Sequence, residues 1–264
     1  MKTVLDFQKA RASQRPISMV TSYDSWSAAL IEKSPIDCIL VGDSAAMVMH
    51  GESNTLAATV DMMALHTRAV RKGAPDTFIV TDLPFLSYRK GIPATMDAVQ
   101  AICQAGAQAV KLEGADGHLD VIRHIVESGV PVMGHLGLTP QSVHTLGGHR
   151  VQGRNSQAAQ KLIHQAKALE AAGCFSIVLE CIPESLAGQI TDAVTLPTIG
   201  IGSGPGTSGQ VLVFQDLLGL NTGFHPVFVR KYLEGDKLIG HALEGFAEDV
   251  KERSFPTLNE SYLA

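Results

Sequence analysis

No Cys-x-x-Cys pair occurs among the four cysteines, Cys38, Cys103, Cys174 and Cys181. A disulfide frame or a thiolate metal site therefore has no local signature, and the four read as small buried hydrophobes. No basic excess exists either: the formal net charge is −5 and the pI near 6.0. A protein that grips nucleic acid through its phosphates needs a basic face, so that class is excluded. Runs of like charge are missing, which removes an interaction tail or a polybasic membrane patch. No apolar stretch is long enough to span a bilayer, and Met1 to Arg15 lacks a continuous apolar core of the secretory kind, so a cytoplasmic protein is expected. His135, His144 and His149 match neither the zincin nor the zinc-finger spacing. No Pro/Gly/Ser-rich linker or shift of composition divides the chain, which is expected to form one domain over residues 1–264, with a short N-terminal helix and a loose tail from Ser254.

What is present is ample core material, 45% hydrophobic against 18% charged residues, arranged in a repeating unit. An amphipathic helix ends near a glycine, a short apolar run follows, and a polar residue closes it. Gly73 leads to Phe78-Ile79-Val80-Thr81-Asp82, Gly106 to Ala109-Val110-Lys111-Leu112-Glu113, Gly129 to Pro131-Val132-Met133-Gly134-His135, and Gly173 to Ser176-Ile177-Val178-Leu179-Glu180. Ser18 to Asp24, Cys38 to Val41, Pro197 to Gly202 and Gln210 to Phe214 complete eight candidate strands. The helix before Gly106 is expected to turn Met96, Val99 and Cys103 inward. Such alternation means parallel strands joined by helical crossovers. Eight of them in a chain of this length favour a closed (β/α)8 TIM barrel over a doubly wound open sheet.

The polar residues fall at strand ends: Asp43, Asp82, Glu113, His135 and Glu180. In a barrel these ends converge on one mouth, where active sites of this fold lie. Three carboxylates, Asp43, Asp82 and Glu113, raise one another's pKa when crowded into a half-buried mouth, and a divalent cation resolves the repulsion. All-oxygen ligands with room for water and substrate suit magnesium. Lys111, two residues before Glu113, points to the same side of its strand and offers a positive charge for an anionic substrate. Glu180 ends an apolar run, a setting that suits a general base. His135 is a candidate donor to a developing hydroxyl. The glycines of Gly200-Ile201-Gly202-Ser203-Gly204 do not match the dinucleotide or P-loop spacing, so no nucleotide is expected.

Val41-Gly42-Asp43-Ser44, Asp82-Leu83-Pro84-Phe85, Val110-Lys111-Leu112-Glu113-Gly114, Gly134-His135-Leu136-Gly137-Leu138-Thr139-Pro140-Gln141-Ser142 and Leu179-Glu180-Cys181 together resemble the 3-methyl-2-oxobutanoate (ketopantoate) hydroxymethyltransferase family. The likeness runs in order from about Ser18 to Val250. It implies a barrel of the phosphoenolpyruvate/pyruvate type and the first committed step of pantothenate biosynthesis. There a hydroxymethyl group passes from 5,10-methylenetetrahydrofolate, the co-substrate, to 3-methyl-2-oxobutanoate, giving 2-dehydropantoate. It further implies a homodecamer, Mg2+ on Asp43 and Asp82 with Glu113 completing the site directly or through water, keto-acid binding by Asp43, Ser44, Asp82 and Lys111, and Glu180 as base. His135 falls at a family active-site position near the new hydroxyl. The chain departs from the family pattern at Asn54-Thr55-Leu56-Ala57, where Ser-Thr-Leu-Pro is usual, and at Gln215, where histidine is common. The alternatives are another magnesium-dependent, enolate-forming lyase of the same superfamily and a non-catalytic barrel relative.

Overall fold

The computed structural model describes residues 2–223 and 226–262. Two compact units divide the chain, Met1–Val213 and Phe214–Ala264. In the first, the elements run α1 (Val4–Ala12), β1 (Ile17–Thr21), α2 (Ser25–Glu32), β2 (Cys38–Val41), α3 (Ala45–Val48), α4 (Val60–Gly73), β3 (Phe78–Asp82), α5 (Ile92–Gln104), β4 (Ala109–Lys111), α6 (Leu119–Glu127), β5 (Val132–Gly137), α7 (Val143–Leu146), α8 (Ser156–Ala171), β6 (Ser176–Glu180), α9 (Glu184–Ala193), β7 (Thr198–Ile201) and β8 (Gly209–Leu212). The second holds α10 (Phe214–Leu217) and α11 (Gly235–Glu252), tied by the Tyr232 N–H donating to the Leu217 carbonyl at 2.8 Å.

The eight strands pair in sequence order and close, β8 against β1, into an all-parallel barrel. This is the (β/α)8 architecture expected from the alternation. Helix starts follow their capping residues: Asp24, Thr59 and Asn155 accept from the backbone N–H groups of Ser27, Met62 and Ala158. The glycines expected after helices, Gly106, Gly129 and Gly173, adopt positive φ. Gly73 serves differently. It is the last residue of α4, and a Cβ there would lie 2.1 Å from the Ser25 carbonyl oxygen, so the glycine permits the close approach of α2 to α4.

Strand periodicity sorts the side chains. Ile17 and Met19, Cys38 and Leu40, Phe78 and Val80, Ala109, Met133, Val178, Ile199 and Val211 form the buried interior, with Phe7 of α1 packed edge-on against Phe78 and Phe175. Burying a phenylalanine contributes about 1.5–3 kcal/mol. Continuing the same alternation to the carboxyl ends brings Thr21, Gly42, Asp82, Lys111, His135 and Glu180 onto the interior side. One period of two thus gives the barrel an apolar core and a polar mouth.

Several elements differ from the sequence expectation: the first strand is Ile17–Thr21 rather than Ser18–Asp24, because Asp24 caps α2, and β4 and β5 shift by one or two residues at their ends. The eighth strand is Gly209–Leu212, because Phe214 already starts α10. On α5 the buried face is Thr95, Ala98, Val99 and Ile102, while Met96 and Cys103 are only half-buried. Burying Thr95 is cheap because its hydroxyl donates to the Gly91 carbonyl at 3.0 Å, so Ile102 is free to take the inward position.

Candidate active site

At the barrel mouth, Asp43, Ser44, Asp82, Lys111, Glu113, His135 and Glu180 line a single cavity of about 190 Å3. All seven residues singled out in the sequence are brought together. His149 reaches the lining and His144 does not.

Each side chain is fixed by its neighbours. Asp82, at the end of β3, accepts at Oδ2 from the Asp43 N–H (3.0 Å), and its Oδ1 lies 2.9 Å from Lys111 Nζ, with which its partner strand is in register. That second contact is an ion pair without hydrogen-bond alignment, since Asp82 Oδ1 has no hydrogen-bond partner among the described residues. Beyond β4, the Leu112 N–H donates to the Met133 carbonyl and the Gly114 N–H to that of His135, so Glu113 stays anchored to β5. His135 on β5 stands between two acids, Nδ1 3.5 Å from Glu113 Oε1 and Nε2 3.2 Å from Glu180 Oε2. Ser44 Oγ is 2.8 Å from the hydroxyl of the fully buried Tyr23. Gly42 leaves space in the polar layer: a Cβ there would lie 2.8 Å from Ser44 Oγ and 3.6 Å from Asp82 Oδ2.

The electrostatics follow from burial and crowding. Burial, then the charges of Asp82 and Glu113, hold the Asp43 carboxyl well above its ordinary value, against Lys111 and Gln141. Burial raises Asp82 as well, with Lys111 opposing it. Burial also acts to raise Glu113, but His135, Lys111 and the Gln141 N–H outweigh it and hold this carboxyl below its usual range. For Lys111 burial disfavours the charge, and the acids Asp82, Glu113 and Asp43 outweigh it, so the ammonium persists. His135 is pushed up to about 9: burial and Lys111 act against its charge, and the Glu113 and Glu180 carboxylates prevail. The ring thus stands in ion-pair range of both Glu113 and Glu180, and its Nδ1 lies 3.3 Å from Lys111 Nζ.

Gln141 holds this set together, and nothing in the sequence alone marked it beyond its place in the Thr139-Pro140-Gln141 run. Its side chain is buried. Its Nε2 donates to Asp43 Oδ2 (2.8 Å) and to the Leu83 carbonyl (3.0 Å), its Oε1 accepts from Tyr88 (2.8 Å), and its backbone N–H donates to Glu113 Oε2 (2.9 Å). Two of these four hydrogen bonds orient two of the three acids, Asp43 and Glu113. Tyr23 is the second residue the sequence did not single out.

The carboxylates fit a hard cation. Asp82 and Glu113 each have one oxygen fixed by an amide donor and the other, Oδ1 and Oε1, buried without a hydrogen-bond partner among the described residues. Among those residues no three His, Cys, Asp or Glu side chains are gathered so as to hold an ion by themselves. Magnesium takes one or two carboxylates and fills its remaining positions with water and substrate oxygens, so such a set suits it.

The cysteines are inert. Cys181 follows the mouth, where burial and then the Glu180 charge push its thiol up to about 12, and burial does the same for Cys174. The loop that departs at Ala57 keeps a 3-10 turn, Thr55–Ala57, because Asn54 Oδ1 accepts from the Leu56 N–H at 2.9 Å.

A model of the ketopantoate hydroxymethyltransferase family matches residues 1–258. The 3-methyl-2-oxobutanoate hydroxymethyltransferase of Coxiella burnetii (strain CbuK_Q154) is 58% identical over 254 residues, 96% of each chain. The protein of that name from Francisella tularensis subsp. tularensis (strain WY96-3418) is 54% identical over 262 residues, 99% of each. Among solved structures, phosphonopyruvate hydrolase in complex with oxalate and Mg++ superposes with a TM-score of 0.64 at 13% identity, over 98% of this chain and 93% of that one. A 2,3-dimethylmalate lyase of the PEP mutase/isocitrate lyase superfamily gives 0.61 at 14%, over 100% and 92%.

Proposed function

The chain belongs to the ketopantoate hydroxymethyltransferase family and is a hydroxymethyltransferase acting on 3-methyl-2-oxobutanoate, and from that premise we propose the chemistry of its barrel mouth. The donor is 5,10-methylenetetrahydrofolate and the product 2-dehydropantoate. The observation that carries this reading is the gathering of three acids, a lysine, a histidine and a separate glutamate around one cavity of a size for a five-carbon keto acid. A lyase of the same superfamily is not favoured, because the likeness to such structures is one of fold, at 11–17% identity.

Asp43 and Asp82 would hold Mg2+, with Glu113 completing the site directly or through water. Bound there, the cation supplies Lewis-acid polarisation of the keto acid's oxygens, which acidifies the C3 proton. Glu180, whose Oε2 lies 3.2 Å from His135 Nε2, removes that proton. Lys111 and Ser44 orient the substrate carboxylate and carbonyl, and the enolate carbon attacks the one-carbon unit of the folate. His135 faces the side where the new hydroxyl arises. Confining both substrates to one mouth removes part of the entropic barrier.

A homo-oligomer, a decamer as the resemblance implies, is part of this reading. Trp26 and Leu30 on α2 and Leu65 on α4 are each more than half exposed, which supports burial against a second copy. Among the described residues no helix is long and apolar enough to cross a membrane, in keeping with a cytoplasmic enzyme.

The direct test is to mix protein, magnesium, methylenetetrahydrofolate and 3-methyl-2-oxobutanoate and follow dehydropantoate by mass spectrometry. Product should form, stop on chelation with EDTA, and return with added magnesium. No product at any magnesium concentration would overturn the reading.

Gln141→Met keeps the side chain's length and the backbone bond to Glu113 but removes both donors to Asp43 and Leu83. Changing such an orienting partner of a ligand costs roughly 10–100-fold in metal affinity. Calorimetric titration with Mg2+ should show that loss; an unchanged affinity would confine Gln141 to packing.

A further inference from the structure

Thr55 lies in the 3-10 turn Thr55–Ala57 after α3 and is 3% exposed. Its backbone carbonyl accepts from the Ala58 N–H. Its Oγ1, however, is buried without a hydrogen-bond partner among the described residues, and the residue lines the same cavity as Asp43, Ser44 and Lys111. A buried hydroxyl left unpaired costs free energy that a valine of the same shape would avoid, so the position is poor for folding alone.

The other cavity groups show what that hydroxyl lacks. A 2-oxo acid brings a carboxylate into a space already bordered by Asp43, Asp82, Glu113 and Glu180. Donors are needed to offset the repulsion. Lys111 and Ser44, which orient the substrate, each already hold one partner, Asp82 and Tyr23, and His135 stands between Glu113 and Glu180. The Thr55 hydroxyl is a donor without such an engagement. Resting on the proposed reaction for the identity of the ligand, we propose that Thr55 is a substrate-binding residue whose Oγ1–H donates to the carboxylate of the bound 2-oxo acid.

The test compares Thr55→Val, which keeps the shape and removes the hydroxyl, with Thr55→Ser, which keeps the hydroxyl. For Thr55→Val the KM for 3-methyl-2-oxobutanoate should rise roughly ten- to hundredfold, the loss expected for one hydrogen bond to a charged group. The KM for the folate donor should not move, and kcat should stay within about threefold, because ground-state and transition-state binding lose alike. The substrate-free melting temperature should hold or rise, since an unpaired polar atom has been removed. Thr55→Ser should recover the wild-type KM.

A keto-acid KM within about twofold of wild type in Thr55→Val would overturn the proposal and assign the hydroxyl to solvent. A fall in melting temperature with parallel loss in both KM values and kcat would overturn it in favour of a structural role. Absence of turnover in the wild-type protein itself would instead bring down the proposed reaction, and this role with it.

Discussion

Turnover should fall by roughly two to four orders of magnitude in Glu180→Gln, the range that a positioned general base supplies, while the keto acid still binds. Glutamine has the shape of glutamate and its Oε1 can still accept from His135 Nε2–H, which lies 3.2 Å from the carboxylate in the native site. The neighbouring groups that bind substrate, Asp43, Ser44, Asp82 and Lys111, are untouched, so binding and proton removal separate. The measurement is exchange of the C3 hydrogen of 3-methyl-2-oxobutanoate in deuterated water without folate, alongside keto-acid affinity by calorimetry. Exchange at the wild-type rate in Glu180→Gln would mean that another group is the base. Loss of binding together with exchange would move Glu180 into the binding set.

Lys111→Met should destabilise the metal-free protein by about 3–5 kcal/mol, the cost of breaking a buried ion pair from one side. Lys111 is 4% exposed, its ammonium 2.9 Å from Asp82. Without it three buried carboxylates face one another with only His135 to offset them. The pH dependence has a definite sign. Lys111 is among the groups that lower Asp43, whose carboxyl is already raised by burial and by Asp82 and Glu113. Removing Lys111 raises it further, so the folded state binds a proton that the unfolded chain has released. Between the ordinary aspartate value and the raised one, stability therefore falls as pH rises. The deficit of Lys111→Met should be largest near neutral pH and narrow on acidification, which denaturant unfolding at several pH values reads directly. A deficit independent of pH would place the cost in packing rather than charge.

Much of this mouth was legible residue by residue. Asp82 and Glu180 end apolar runs, and a period of two carries Val80 to Asp82 and Val178 to Glu180 on the same face of each strand. That rule is local, so it survives without knowledge of the fold. The face of α5 was less legible: Met96 and Cys103 look as suitable for burial as Thr95 and Ile102 until the Gly91 carbonyl is seen to satisfy the threonine. Gln141 and Tyr23 could not be read at all. Gln141 reaches Asp43 across 98 positions of sequence, and Tyr23 meets Ser44 through a hydroxyl whose direction depends on how β1 lies beside β2.

The sequence by itself determined the alternation of strand and helix, the parallel barrel that alternation demands, and the acids, lysine and histidine at its strand ends, because each follows from spacing along one segment. Only the tertiary structure decided how those groups pair: Lys111 with Asp82, His135 between Glu113 and Glu180, Gln141 across two acids, and the Thr55 hydroxyl without a hydrogen-bond partner among the described residues. Pairing depends on distances between segments that the closure of β8 against β1 sets, and no spacing within a segment contains them.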